Sequence, residues 1–219
     1  MSFLPDLHLL IVMAVPLLAA VTVHEVAHGL VAYWLGDPTP KMAGRLTLNP
    51  IKHLDLFGTL AFIITQAIGW AKPVPVDPRN FRHPRRDMMW VALAGPASNF
   101  LLAALCGLLL RFFPYLLWPL SLFGEKAVVF FGRPLMLMLA LGVQLNIGLA
   151  VFNLLPIPPL DGSRILTGLL PRELALKYTR LEPYGFIILL LLIFTGTIQK
   201  IILPAILYLS HIFRGGVWL

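Results

Sequence analysis

Long apolar runs alternate along the chain with short stretches that hold most of its charge. Leu7 to Leu35 is almost free of charged residues and exceeds the roughly 20 apolar residues that a bilayer crossing needs. It stops at Gly36-Asp37-Pro38, a turn signal with a proline that cannot continue a helix. The same pattern predicts a second helix over about Asp87 to Phe113 and a third over about Arg133 to Leu155. Pro114 to Gly124 is apolar but holds two prolines, and reads as an interfacial segment on the outer side. Tyr184 to Phe213 is apolar with Lys200 near its centre. It reads as a spanning helix to about Gln199 followed by an outer-leaflet segment, with a single tilted helix and a snorkelling Lys200 as the alternative.

Between the first two helices the pattern is less regular. Leu56 to Ala71 is apolar, short for a span, and interrupted by Gly58, Gln66 and Gly69. If it crossed, the basic loop after it would lie outside; a re-entrant segment keeps both flanking basic loops on one side, and an ordinary short span is the alternative. Arg45-Leu46-Thr47-Leu48 alternates polar and apolar residues as a short strand does. Lys72 to Pro78 must be extended, because its prolines forbid helix and push their predecessors toward β geometry. It serves either as a rigid loop or as a strand that docks an unwound segment by β-addition. The expected fold is therefore an all-α polytopic membrane protein. It has about four spanning helices, a re-entrant segment, and short extended or β elements between the first two spans.

Composition supports the membrane reading. Of 219 residues 58% are hydrophobic and 12% charged, too few polar groups to coat a soluble globule. One compact membrane domain over 1–219 is expected, with a core at about 7–182 and a C-terminal helix and interfacial tail at 183–219. Behind the net charge of +7, 12 of the 17 Lys and Arg gather in three loops: Lys41, Arg45 and Lys52; Lys72, Arg79, Arg82, Arg85 and Arg86; and Arg164, Arg172, Lys177 and Arg180. The positive-inside rule explains this clustering without nucleic acid. It places the N-terminus, which has no Lys or Arg, outside and the three basic loops in the cytoplasm. The single cysteine, Cys106, can form no intrachain disulfide and reads as a small core residue.

The candidate chemistry lies inside the first apolar run, at His24-Glu25-Val26-Ala27-His28-Gly29. Helical residues four apart are separated by about 40° in azimuth and about 6 Å along the axis, so His24 and His28 share a face and can hold one Zn²⁺. In the His-Glu-x-x-His pattern, Glu25 activates water as general base. Ionisable residues at membrane depth are costly unless paired, which favours a functional site over histidines that merely bond neighbouring helices. Two histidines leave a zinc site short of one protein ligand, and such sites commonly add a carboxylate. Asp161, after the helix-breaking Pro156-Ile157-Pro158-Pro159-Leu160, supplies it, unless it only caps the following helix. In the second helix, Ala92, Ala94, Gly95, Ala97 and Ser98 form a small-residue packing patch around Pro96, while Asn99 needs a polar partner.

The His-Glu-Val-Ala-His helix, Gly95-Pro96-Ala97-Ser98-Asn99 and Asn153-Leu154-Leu155-Pro156-Ile157-Pro158-Pro159-Leu160-Asp161-Gly162 occur in the order found in site-2 proteases. In these elements, and in Lys72-Pro73-Val74-Pro75-Val76, the chain resembles a compact bacterial subgroup of those intramembrane zinc metalloproteases (peptidase family M50), without inserted PDZ or appended CBS domains. The resemblance implies one Zn²⁺ per chain on His24, His28 and Asp161, Glu25 as general base, and Asn153 holding the substrate or the developing oxyanion. It implies a transmembrane-helix protein as substrate. The setting expected is the bacterial cytoplasmic membrane, with the active site toward the cytoplasmic face. Two other classes remain: a non-catalytic membrane metal-binding protein, which needs no Glu25, and a pseudo-protease scaffold holding helices in the Gly95 groove.

Overall fold

The computed structural model describes residues 7–65 and 69–215 and is helical over most of that length. α1 (Leu7–Trp34), the single turn α2 (Thr39–Met42) and α3 (Leu56–Thr65) come first. α4 (Pro84–Arg111), α5 (Phe113–Ser121) and α6 (Glu125–Asn153) follow, then α7 (Asp161–Leu169), α8 (Arg172–Thr179), α9 (Glu182–Phe194) and α10 (Thr197–Arg214). Val12–Trp34 of α1, α4 and α6 are each long and apolar enough to cross a membrane. A fourth crossing requires α9 and α10 to act as one span, and they meet at a 75° bend. The protein is an integral membrane protein of the all-helical class.

The first two spans begin and end close to expectation, but α6 starts earlier, at Glu125, and carries Pro134 inside it. Interior proline is tolerated in membrane helices because neighbouring groups satisfy the freed carbonyl. The expected interfacial stretch after α4 is itself helical, as α5. At the C-terminal end the break falls at Thr195–Gly196 rather than after Gln199, because Gly196 adopts φ +70°, which a side chain disfavours. α10 therefore folds back onto the bundle. Its Ile206, Leu209 and Phe213 pack against buried Ala103, Val143 and Ile147 of α4 and α6. At Gly107 of α4 a Cβ would collide with the Phe213 carbonyl, so this crossing depends on glycine.

α4 is the central helix, packed against α1, α6 and α7. Lipid tails give no hydrophobic drive for helix association, so close backbone approach has to supply it. Ala92, Gly95, Ala103 and Gly107 of α4 and Ala140, Gly142 and Ala150 of α6 are all buried. A polar seam ties the three long helices together at their centre. Asn99, 0% exposed, donates its amide to the Ala20 carbonyl of α1 at 3.1 Å and to Asn146 Oδ1 of α6 at 2.8 Å. Asn146 in turn donates to the Gly142 carbonyl at 2.8 Å.

The expected β elements do not form. Among the described residues there is no sheet, only an isolated antiparallel bridge between Leu54 and Ala71. Arg45–Leu48 and Lys72–Asp77 are non-helical, with Pro78 opening a 3-10 turn, but their polar groups are taken up elsewhere. The Arg45 guanidinium donates to the Lys72 and Pro73 carbonyls, while Pro73 and Pro75 have no N–H with which to build a ladder. The Leu54–Ala71 bridge, with Lys72 N–H donating to the His53 carbonyl at 2.9 Å, brings the two ends of the 56–71 segment side by side. A helix of 10 residues, about 15 Å long, reaches half of a bilayer core. The two ends of the segment therefore lie together; Gln66 itself lies outside the described residues.

Residues 72–77 form a strap across the end of α1, and Asp37 anchors its far end. The Asp37 carboxylate, 0% exposed, accepts from Thr39 N–H and Oγ1, from Asp77 N–H at 2.8 Å and from Asn80 Nδ2 at 2.6 Å. Burial opposes its charge, but these donors outweigh burial and hold its carboxyl below the usual carboxylate range. A carboxyl lowered on folding stabilises the fold above its unfolded pKa, and that contribution is lost as pH falls through the folded value. Asp37→Ala is expected to cost about 2 kcal/mol in denaturant unfolding of the purified protein at neutral pH. The gap between it and the wild type should narrow below about pH 4, where the carboxyl of the unfolded wild-type chain begins to take up a proton that the folded one still resists.

Candidate metal centre

His24 and His28 project from one face of α1 as their spacing requires, and α4 passes directly beneath them. This close crossing exists because residue 95 is glycine. A Cβ there would lie 2.5 Å from His28 Cε1 and 2.6 Å from His24 Cε1. The small-residue patch read from the sequence as a helix-packing feature is thus, at Gly95, the floor beneath the two imidazoles. His24 Nδ1 lies 2.6 Å from Asn99 Oδ1, and His28 Nδ1 lies 2.7 Å from the Val91 carbonyl, both on α4. Both partners are acceptors, since the Asn99 amide nitrogen is already donating to Ala20 and Asn146. Each Nδ1 therefore carries the proton, and each Nε2 presents a lone pair to the space between α1 and α4.

Asp161 reaches that space from the other end of the sequence. The run between α6 and α7, where the prolines end the helix, is a series of turns: Ile157 N–H bonds the Leu155 carbonyl and Leu160 N–H the Ile157 carbonyl. It is gripped on three sides. Gly162 lies where a Cβ would strike the Leu154 and Leu155 carbonyls, Tyr178 Oη donates to the Pro156 carbonyl at 2.8 Å, and Gly185 leaves room for Pro158. Asp161 opens α7 as its first residue and caps nothing, which removes the capping alternative. Its Oδ2 lies 3.2 Å from each of His24 Nε2 and His28 Nε2, and those two nitrogens are 3.0 Å apart.

The three converging atoms suit a metal ion. Two lone-pair nitrogens and a carboxylate oxygen repel one another at this separation unless a cation lies between them, and Asp161 Oδ2 is buried with no hydrogen-bond donor. Tetrahedral zinc with ligands at 2.0–2.1 Å sets neighbouring ligand atoms about 3.3 Å apart, close to the triangle observed. The Nδ1 partners are the outer hydrogen bonds that fix ring orientation in histidine metal sites. Among the described residues, His24, His28 and Asp161 form the group of His, Cys, Asp or Glu side chains that could hold a metal. All three are largely buried, inside or beside helices able to span a membrane.

The remaining two candidates are placed differently. Glu25, half-buried on α1 beside His24, accepts from the Val74 N–H of the strap at 2.9 Å through Oε2. Asn153, the last residue of α6, donates its amide to the Leu149 carbonyl at 3.0 Å and bonds none of the other four. Asn99 could be singled out from sequence as a polar residue needing a partner at membrane depth, although its partner could not. The Val91 carbonyl and Val74 N–H, being backbone groups, leave no mark in the residue pattern.

A helical membrane protein with a two-histidine, one-carboxylate group on a His-Glu-x-x-His helix is built as a membrane metalloprotease. The chain belongs to peptidase family M50, whose family model matches residues 12–196. It is 43% identical over 192 residues to the Bacillus subtilis protein named "Putative zinc metalloprotease YwhC", covering 88% of this chain and 84% of that one. Relatives named "Putative zinc metalloprotease Rip2" are 30% identical, over 188 residues in Mycolicibacterium smegmatis and 187 in Mycobacterium tuberculosis. These cover 84% and 83% of this chain and 66% of each relative. No solved structure matches it.

Loss of the orienting bond in Asn99→Ala should lower zinc affinity by 10- to 100-fold in a chelator competition titration, the usual cost of removing an outer-shell partner. Gly95→Ala should abolish stoichiometric zinc binding outright, because its Cβ occupies the space of both rings.

Proposed function

We propose that the protein is a zinc-dependent intramembrane endopeptidase that hydrolyses peptide bonds in or near transmembrane segments of membrane-protein substrates. The observation that carries this is the convergence of His24 Nε2, His28 Nε2 and Asp161 Oδ2 at 3.0–3.2 Å, against a helix able to span a bilayer that also carries Glu25. His24, His28 and Asp161 would hold one Zn²⁺. Bound there, zinc supplies Lewis acidity, activating water near neutral pH and polarising the scissile carbonyl. Glu25 takes the proton released by the attacking water onto its carboxylate and passes it to the departing amine. Asn153, at the mouth of the α6–α7 turn, steadies the substrate or its developing oxyanion once its amide turns from Leu149.

The sidedness of the basic loops supports an N-terminus outside and the metal end of α1 toward the cytoplasmic face of a bacterial membrane. The paired ends of the 56–71 segment support a re-entrant element on that side. Water then has a short route to a site that is otherwise within lipid. A substrate helix must unwind locally to offer an extended peptide bond, so its own helical stability is part of its selection. The whole of 1–219 acts as one catalytic domain, with the bilayer and a transmembrane-helix protein as partners.

Glu25→Gln should retain one zinc per chain while turnover of a reporter transmembrane helix falls by about 10²- to 10⁴-fold, the range that general acid–base catalysis contributes. Asp161→Ala should lose zinc and activity together. Metal analysis beside reporter cleavage in proteoliposomes separates the outcomes. Full turnover by Glu25→Gln would sink the assignment, and zinc with no turnover in the wild type would favour a metal-binding role alone.

A further inference from the structure

The contact between Val74 N–H and Glu25 Oε2, at 2.9 Å, joins the catalytic helix to a segment far away in sequence. Val74 sits between Pro73 and Pro75, which have no N–H, so it carries the one backbone donor of that tripeptide. That donor is spent on Glu25. The strap has no secondary structure of its own, and its placement comes from side chains at both ends and beneath it. At the near end Arg45, 5% exposed and in no ion pair among the described residues, directs its guanidinium to the Lys72 carbonyl and, at 3.2 Å, to the Pro73 carbonyl. At the far end Asp37 receives Asp77 N–H. In the middle, Val74 is buried over Gly29 of α1, where a Cβ would lie 3.1 Å from Val74 Cγ1, and Val76 packs on the Ala32, Phe81 and Val91 cluster.

A buried arginine is expensive to keep unless its charge does something for the fold or the site. Here it holds the two carbonyls flanking the Pro73 ring, immediately before the residue that meets Glu25. A glutamate side chain has three rotatable bonds, and a base must be held to within about 0.5 Å of its working position. The Val74 bond engages Oε2 and leaves Oε1 without a partner among the described residues. One carboxylate oxygen is tethered and the other is free to take a proton.

We propose that the 72–77 strap is the device that positions Glu25, and that Arg45 is a positioning residue acting on that base through the Lys72 and Pro73 carbonyls and the Val74 N–H. The proposal rests on Glu25 being the general base. It assigns the Pro73-Val74-Pro75 run a purpose beyond stiffness: flanking prolines hold the backbone extended so that its single donor points one way.

The test uses the full-length chain in proteoliposomes, with a reporter transmembrane helix as substrate, and reads kcat, KM and zinc content for Arg45→Ala, Arg45→Lys, Val74→Pro and Val74→Ala. Val74→Pro removes the N–H while keeping an extended backbone; Val74→Ala removes side-chain contacts but keeps the N–H. The expected result is kcat lowered about 10- to 100-fold in Arg45→Ala, as a misplaced catalytic group costs, with zinc retained and KM changed less than about threefold. Arg45→Lys should restore part of kcat, and Val74→Pro should fall at least tenfold below Val74→Ala. Unchanged kcat in Val74→Pro, or a raised kcat that would make the strap an inhibitory cover, overturns the proposal. So does a rise in KM alone, which would make the strap a substrate contact, or loss of zinc in both Arg45→Ala and Val74→Pro, which would make it part of metal-site assembly. Glu25→Gln in the same assay separates the two levels: an active Glu25→Gln removes the base itself, whereas an inactive one beside unaffected strap variants removes only the positioning role.

Discussion

Three electron-pair donors brought within 3.0–3.2 Å of one another constitute the constraint on which this structure turns. Nitrogen and oxygen lone pairs at that distance are repulsive in a low-dielectric interior, so the arrangement suits a cation at its centre. The surrounding fold works to enforce it. Gly95 lets α4 come up under the imidazoles, Asn99 and the Val91 carbonyl fix which ring nitrogen faces inward, and the turns after α6 hold Asp161 against them. Metal affinity and helix packing are therefore the same problem here, since moving α4 by a fraction of an ångström moves the histidine partners with it.

The polar groups that accomplish this would be costly in lipid if left alone. The structure satisfies them in a chain that crosses the bundle, from His24 to Asn99, then to Ala20 on α1 and Asn146 on α6, and finally to Gly142. Each long helix contributes to that chain, so the orientation of the His24 imidazole is coupled to the association of all three. Pro96 contributes locally: it removes the N–H that would meet the Ala92 carbonyl, loosening α4 at the turn where the Val91 carbonyl receives His28. The α9–α10 bend at Gly196 belongs to the same economy of close contacts, since it returns α10 to cover α4 and α6.

The strap across the end of α1 shows how proline-rich backbone can be structured without a sheet. Its carbonyls go to Arg45, its end N–H groups to His53 and Asp37, and its central N–H to Glu25. Neither the strand periodicity at Arg45–Leu48 nor the proline run at Lys72–Pro78 becomes a strand, and Pro78 opens a 3-10 turn instead. Pairing failed because the donors and acceptors that a ladder needs are bound by side chains, which residue alternation does not reveal.

What the amino-acid pattern settled is what depends on neighbours along the chain: the spans, set by apolar length; the shared face of His24 and His28, set by the helical repeat; and the end of α1 at Gly36-Asp37-Pro38. Ligand count raised a carboxylate such as Asp161 as a candidate, because two histidines leave a zinc site short of a protein donor, but it left open that Asp161 only capped the next helix. Tertiary structure decided the rest. Only the folded chain shows that Gly95 is a floor for imidazoles rather than a general packing site, that the ends of the 56–71 segment meet, and that a valine N–H grips Glu25. These are encounters between backbone atoms and residues scores of positions apart, and backbone atoms are the same at every position of a sequence.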